Sequence, residues 1–143
     1  LIICQNYVNQ MKHLLISVLS IIFFSGPIIA QEQSFQQVIR GQIEAFSSDD
    51  MEAAFEFASP SIKSIFKNYK RFGVMVRQGY PMVFRQKEFT FKEAQSDSSN
   101  ASQEVLIEDL AGDLHLLRYT LILLDGEWKI TGVEFLNARI TAT

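Results

Sequence analysis

The sequence has few of the side chains on which thiol and transition-metal chemistry depends. Its single cysteine is Cys4, and its two histidines are His13 and His115. Cys4 and His13 both precede the end of a leader segment described below, so the expected domain has one histidine and no thiol. This excludes disulfides, zinc–thiolate sites and a cysteine nucleophile for that domain, and no metal site is predicted.

The motifs of several common enzyme classes are also missing. The sequence contains no Gly-x-Ser-x-Gly elbow, no glycine-rich phosphate loop and no His-Glu-x-x-His pair. The formal net charge is −3, which disfavours nucleic acid as the principal partner because nucleic-acid sites are usually basic. We therefore predict no nucleic-acid partner and no cofactor, and we assign no catalytic residue.

An apolar leader occupies the N-terminal part of the sequence. Met11 and Lys12 precede the apolar run from Leu14 to Phe24, and the small residue Ala30 follows. This order is typical of a secretory signal peptide. An uncleaved anchor is the alternative, although the run is shorter than the roughly 20 residues that span a membrane. The predicted organisation is an upstream extension over residues 1–10, a signal peptide over residues 11–30, and one periplasmic or secreted domain over residues 31–143.

The first half of the predicted domain has apolar residues at helical spacing. A long helix is expected over residues 35–47, followed by a short second helix. A third helix should reach Tyr69, and a further turn or two is expected over residues 71–77. The start and stop signals are a capping box at Ser34 and Gln37, an N-cap within Ser48-Asp49-Asp50, an N-cap at Ser59, and a helix-ending Gly79.

The second half changes to the two-residue alternation of strands. A first strand is expected over residues 83–94, then a polar loop over residues 96–102. Three further strand-like runs cover residues 105–110, 114–124 and 127–136, and Asp125-Gly126 between the last two is a strong hairpin signal. The expected fold class is α+β, with N-terminal helices packed on a curved antiparallel sheet of about four strands.

The run from Leu114 to Leu124 is apolar on both faces. Leu117, Tyr119 and Leu121 point one way, while Leu116 and Ile122 point the other. An antiparallel strand with one face in water should alternate more cleanly. The helices cover one face of this strand, and we predict that a second subunit covers the other face in a homodimer.

Several short patterns mark the predicted domain from end to end. They are Gln42-Ile43-x-Ala45-Phe46, Phe57-Ala58-Ser59-Pro60-x-Ile62, Gly79-Tyr80-Pro81 and Gly126-x-Trp128-x-Ile130-x-Gly132-Val133. Together they resemble an uncharacterised bacterial family, domain of unknown function 4864. The resemblance implies a bacterial protein with a cystatin-like, or nuclear transport factor 2-like, fold. It implies no activity, because the wider superfamily includes isomerases, dehydratases, non-catalytic carriers and dimerisation modules.

Four residues are predicted to line a pocket between the helices and the sheet: Tyr80, Arg118, Tyr119 and Trp128. Aromatic walls with a few polar groups are typical of ligand sites. The alternative is that these residues only pack the core and its rim. His115, with Asp113 close in sequence, is a weaker candidate for proton transfer than for a solvent-facing histidine.

The segment from Phe57 to Lys87 contains cations but no acidic residue. We predict a basic helix face there, formed by Lys63, Lys67, Lys70 and Arg71 because three- and four-residue spacings align on a helix. Its partner would be an anionic membrane surface or an acidic protein. The alternative is a solvated face that acidic strands balance in space.

Taken together, these features predict a non-enzymatic exported module that binds a small apolar ligand or a protein partner. The rival is a small cofactor-free isomerase or dehydratase that uses the same cavity, with Tyr, His or Asp as acid and base. Dimerisation alone is a third alternative. An inward carboxylate or histidine in the cavity would favour the enzyme.

Overall fold

The computed structural model describes residues 29–136, with side-chain positions from Phe35 onward. The predicted upstream extension and nearly all of the predicted signal peptide lie outside these residues. Within the described part, no helix is both long and apolar enough to cross a membrane.

The described part begins with helices and ends with strands. The helices are α1 (Ile29–Ser47), α2 (Met51–Glu56), α3 (Pro60–Phe66) and α4 (Tyr69–Gly79), followed by a 3₁₀ turn (Pro81–Val83). The strands are β1 (Gln86–Ser96), β2 (Asn100–Asp109), β3 (Leu114–Leu124) and β4 (Glu127–Phe135). They pair antiparallel in the order β1-β2-β3-β4. This confirms the predicted α+β class and the four-stranded sheet.

Side-chain caps begin the two short helices as predicted. Asp50 Oδ1 accepts a hydrogen bond from Ala53 N at 3.0 Å at the start of α2. Ser59 Oγ accepts one from Ile62 N at 3.5 Å, and Pro60 occupies the first turn of α3. Such caps stabilise a helix because they satisfy amides that have no partner within it.

The predicted starts and ends of two other helical segments are wrong. Helix α1 begins at Ile29 and not after Ser34, because the Ala, Glu and Gln residues just before Ser34 are good helix formers. The third helix does not reach Tyr69. It ends at Phe66, and Tyr69 begins α4 as a separate helix.

The break between α3 and α4 lies at Lys67 and Asn68. Lys67 has a φ of 69°, which no α-helical residue adopts, although its N–H still donates to Lys63 O at 2.9 Å. Asn68 Oδ1 then accepts a hydrogen bond from Arg71 N at 3.1 Å and starts the new helix. The break therefore comes from a left-handed lysine and a local asparagine cap.

The first two strands also differ from the prediction. Val83 belongs to the 3₁₀ turn, and β1 begins at Gln86 because Phe84 N donates back to Pro81 O at 3.2 Å and delays the extended chain. Strand β2 begins at Asn100, inside the stretch predicted as a loop. Asp97 closes that turn tightly, since its Oδ1 accepts hydrogen bonds from the amides of Ser99 and Asn100 at 2.8 Å each.

The helices cover one face of the sheet, which we call the inner face. On β3, Leu117, Tyr119 and Leu121 are buried on this face, as the alternation predicts. Val105 and Ile107 of β2 are fully buried beside them. The Asp125-Gly126 hairpin is confirmed, and both residues have the positive φ that a tight two-residue turn requires.

The opposite, outer face carries apolar side chains around one charged network. Leu106 and Leu116 lie directly opposite each other on β2 and β3 and are partly exposed. Arg118 crosses the same face and pairs with Glu104 at 3.0 Å and Glu134 at 3.2 Å. The predicted homodimer through this face stays a prediction.

A buried glutamine joins α1 to an irregularity in the sheet. Gln103 of β2 is fully buried. Its Nε2 lies 3.1, 3.2 and 2.8 Å from the carbonyl oxygens of Lys92, Glu93 and Glu104, and its Oε1 accepts a hydrogen bond from Gln36 Nε2 at 2.7 Å. The register of β1 against β2 shifts at Lys92 and Glu93. Gln103 therefore supplies the donor that these bulged carbonyls lack in the ladder.

We predict that Gln103→Leu lowers the free energy of unfolding by about 2–3 kcal/mol, because it leaves partly buried carbonyls and the Gln36 amide without these partners. Urea denaturation measures the change. Gln95→Leu, at an exposed position of β1, is the control and should change stability little. An equal loss in both variants would contradict the role of the amide.

Candidate functional site

A cavity of about 270 Å³ lies between the helices and the inner face of the sheet. Its mouth includes Ile65, whose side chain is 67% exposed. No acidic, basic or histidine side chain of the described residues lines it. The residues that line it are Gln42, Phe46, Ala58, Ile62, Ile65, Phe66, Phe72, Met75, Val76, Tyr80, Val83, Tyr119, Ile130, Gly132 and Val133.

The helix α3 side of the cavity is fixed to the sheet by a short backbone bridge. Ser59 N donates to Ile130 O at 2.8 Å, and Ile130 N donates to Phe57 O at 2.9 Å. The segment before α3 thereby pairs with β4, and α3 begins directly after it. Ile62 of α3 and Val133 of β4 both line the cavity.

Three polar side chains are part of the otherwise apolar wall. Gln42 is 2% exposed and donates from Nε2 to Ala54 O at 3.2 Å. The Tyr80 hydroxyl donates to Val133 O at 2.7 Å. Tyr119 is 1% exposed, and no described residue hydrogen-bonds to its hydroxyl. The cavity therefore offers one hydroxyl whose hydrogen-bonding capacity is unused by the described part of the chain.

Burial keeps the Tyr119 hydroxyl protonated. Its removal from water, and to a smaller extent the nearby Tyr80, raises the pKa of Tyr119 above its ordinary value. At neutral pH the group is a hydrogen-bond donor and a poor general base.

The structure places two of the four predicted pocket residues in the cavity wall, Tyr80 and Tyr119. Arg118 lies on the outer face, because neighbouring residues of a strand point to opposite faces. Trp128 points inward but lies further along β4, where its ring meets Phe35 edge-on at 5.7 Å between centroids. Neither residue lines the cavity.

The four predicted basic residues do not share one helix face. Lys63 belongs to α3, while Lys70 and Arg71 belong to α4, and Lys67 lies at the break between the two helices. Lys63 is also engaged, since its Nζ lies 3.1 Å from Glu56 Oε2 and 5.6 Å from the ring centroid of Phe55. The prediction of a single face is therefore wrong, because it required a continuous helix.

His115 pairs with Asp109 and not with Asp113. His115 Nε2 lies 2.8 Å from Asp109 Oδ2. The other oxygen, Oδ1, accepts hydrogen bonds from Ala111 N at 2.9 Å and Asp113 N at 3.0 Å. Asp109 thus closes the β2–β3 turn and holds His115, and neither residue lines the cavity.

Gln42 is a polar residue of the cavity wall that was not among the predicted pocket residues, although it belongs to one of the family patterns. The helical spacing of the sequence could have identified it, because Gln42 lies on the same buried side of α1 as Ile39, Ile43 and Phe46. A glutamine on an apolar helix face needs a partner, and here Ala54 O supplies it.

Comparisons with known proteins agree with this architecture. A sequence model of a protein family described as "Domain of unknown function (DUF4864)" matches residues 29–143. A search of curated proteins found no match.

Solved structures with the same fold are distant in sequence. A SEC-C motif containing protein from Rhodopseudomonas palustris is 14% identical with a TM-score of 0.56, over 73% of this chain and 80% of that one. An NTF2-like protein of unknown function from Shewanella oneidensis is 16% identical with a TM-score of 0.53, over 73% and 98%. One from Shewanella baltica is 10% identical with a TM-score of 0.53, over 78% and 98%. The fold is therefore NTF2-like, and identities this low carry the fold alone.

We predict that Asp109→Asn destabilises the protein at neutral pH and that the effect fades in acid. The hydrogen bond from His115, followed by those from the amides of Asp113 and Ala111, lowers the pKa of Asp109. A lowered carboxyl pKa contributes stability above the unfolded-state value and loses it as pH falls through the folded-state value. Denaturation curves from pH 7 down to about pH 2 cover this window.

Asp113→Asn is the matched control, because Asp113 contributes its backbone amide to this turn. Asp113→Asn should lower the free energy of unfolding less than Asp109→Asn does at every pH. A pH-independent loss in Asp109→Asn would count against the carboxylate as the source of the stability.

Proposed function

Because the chain belongs to the family described as domain of unknown function (DUF4864), which names no activity, we propose a function from the cavity itself. The protein is a non-enzymatic module that binds a small, mainly apolar molecule carrying a hydrogen-bond acceptor. The observation that carries this proposal is the largely apolar cavity, whose wall includes Tyr119, and no described residue hydrogen-bonds to the hydroxyl of Tyr119.

The chemistry of the wall supports a ligand of this kind. Phe46, Phe66, Phe72 and Met75 supply large apolar surfaces that gain from contact with another apolar body. A ligand acceptor that meets the Tyr119 hydroxyl gains a hydrogen bond, which orients the molecule in the cavity. The volume of about 270 Å³ restricts the bound part to a small group or a short chain.

The rival proposal of a cofactor-free isomerase or dehydratase has less support. Acid–base catalysis needs a group that gains and loses a proton near neutral pH close to the bound substrate. The wall contains no carboxylate and no histidine among the described residues, and burial raises the pKa of Tyr119. His115 is held by Asp109 at the β2–β3 turn. These features favour binding over turnover.

We also propose where the module acts and how it associates. The leader over residues 11–30 supports action in the periplasm or outside the cell. The apolar side chains of the outer face, Leu106, Leu116 and Ile122, support a homodimer through that face. The Arg118 charge on this face is paired with Glu104 and Glu134 within one subunit, so a second copy would not leave Arg118 without a partner.

We expect protein purified from its own compartment to carry a small molecule, which native mass spectrometry detects as added mass. Tyr119→Phe should weaken retention of that molecule about 3- to 10-fold, since it removes one hydrogen bond. The ligand-free variant should be at least as stable as the unmodified protein, because no described residue loses a partner.

Two further tyrosines give the matched controls. Tyr80→Phe removes the hydrogen bond to Val133 O and should lower the free energy of unfolding by about 1 kcal/mol. Tyr69→Phe, outside the cavity wall, should change neither property. If no small molecule is found, or if Tyr119→Phe destabilises the empty protein as Tyr80→Phe does, the ligand proposal is wrong.

For the dimer, we expect analytical ultracentrifugation to give twice the monomer mass for the unmodified protein and the monomer mass for Leu116→Glu. The charge would lie opposite Leu106 and would be buried without a partner in the interface. Leu110→Glu, at an exposed turn position, should leave the dimer intact. A monomer at all concentrations, or a dimer in both variants, would overturn the proposal.

A further inference from the structure

An exposed patch of mixed character lies beside the cavity mouth, where α3 meets α4. We call it the α3–α4 patch, and it consists of Ile65, Lys67, Lys70, Arg71 and Val74. Ile65 is 67% exposed and Val74 is 55% exposed. The three cations are exposed as well. Large apolar side chains surrounded by charge of one sign are uncommon on a surface that meets only water.

The three cations of the patch have no acidic partner among the described residues, unlike their neighbours. Lys63 pairs with Glu56 at 3.1 Å, and Arg77 pairs with Asp49 at 2.9 Å. The patch therefore lies between two neutralised cations. It keeps three positive charges in a chain whose net charge is negative.

Three residues of the patch share the exposed side of α4. On α4, Lys70 and Arg71 precede Val74 by four and three residues, so the three share one side of the helix. The buried side of the same helix carries Phe72 and Val76. Positive charge and exposed apolar surface therefore share the outward side of α4.

Lys67 occupies the junction in a conformation that suits glycine better. Its φ of 69° and ψ of −37° are costly for a residue with a Cβ atom, by roughly 1–3 kcal/mol. Its backbone N–H caps α3 through Lys63 O, which any residue other than proline could do. For the stability of the fold alone, glycine at this position would therefore be at least as good as lysine.

We propose that the α3–α4 patch docks the protein on an anionic lipid surface. Lys67, Lys70 and Arg71 meet the headgroups, while Ile65 and Val74 enter the boundary between headgroups and acyl chains. Because Ile65 also lines the mouth, docking turns the cavity toward the lipid. An acidic protein would satisfy the cations, but a lipid surface also accommodates the two apolar side chains between them.

The test is sedimentation of the exported protein with vesicles of phosphatidylglycerol mixed with phosphatidylcholine, at low salt. The unmodified protein should bind these vesicles, bind pure phosphatidylcholine weakly, and dissociate as salt screens the charges. The double variant Lys67→Glu/Lys70→Glu should bind about 25-fold more weakly or worse, at about fivefold for each cation lost.

Two single variants separate docking from folding. Lys67→Gly should bind about fivefold more weakly while its unfolding midpoint in urea stays equal or rises, because glycine accepts the positive φ. Val74→Ser should weaken binding without changing any charge.

The chain offers matched controls for both kinds of change. Arg85→Glu/Lys92→Glu makes the same double charge reversal at exposed positions outside the patch. Leu110→Ser removes an apolar side chain that is as exposed as Ile65 but lies among the carboxylates of Asp109 and Asp113. Both controls should bind anionic vesicles as the unmodified protein does. A retained leader would bind both kinds of vesicle equally in every variant.

The proposal is overturned if the unmodified protein does not bind anionic vesicles at low salt, which is also the result expected for an acidic protein partner. Equal losses in the patch variants and their controls would overturn it as well. Fluorescence of the neutral apolar probe phenylnaphthylamine, measured without lipid, reports the cavity alone. Lys67→Gly should leave this signal unchanged, so failure of docking and failure of the ligand proposal are distinguishable.

Discussion

The backbone bridge between the segment before α3 and strand β4 is the constraint on which the site depends. Two hydrogen bonds join Ile130 to Phe57 and Ser59, and Pro60 starts α3 immediately afterwards. The first turn of α3 is thereby fixed beside the strand. Ala58 and Ile130 at the bridge, and Ile62 on α3, all line the cavity, so this local pairing positions one side of the cavity wall.

The sheet itself contributes to the site through its alternation. On β3, Tyr119 enters the cavity, while its neighbour Arg118 joins the charge network of the outer face. The two faces of the same strand therefore differ: the inner face is apolar at the cavity, and the outer face carries Arg118 paired with two carboxylates. Gln103 hydrogen-bonds to the bulge that shifts the register of β1 against β2, and Gln103 does not line the cavity.

Much of this arrangement could be predicted from short-range signals. Asp50 and Ser59 mark helix starts through local capping, and Asp125-Gly126 marks a hairpin through its backbone preference. Alternation on β3 was enough to separate Arg118 from Tyr119, although both were predicted to line one pocket. The break at Lys67 was not predicted, because no glycine or proline signals it and the cap at Asn68 is a single local signal within a continuous helical spacing.

The position of Trp128 shows a second limit. Its inward direction follows from alternation, but its distance from the cavity depends on which part of α1 it meets, and Phe35 decides that by contact. Strand β2 began earlier than its composition suggested, because Asp97 compressed a polar segment into a short turn. For Trp128 the deciding contact is with Phe35, which is remote in sequence. For the start of β2 it is the single side chain of Asp97.

The order of the elements also has a consequence for how the chain acquires its structure. Helices α1 to α4 come first, yet the surface that buries them is made by strands near the C-terminus, and Ile130 supplies the bridge to α3. Short amphipathic helices are marginal in water until their apolar sides are covered. A chain that emerges N-terminus first therefore cannot complete its core until the last hairpin is available. Until that point the apolar sides of the helices stay exposed, and the unfinished chain is prone to aggregation.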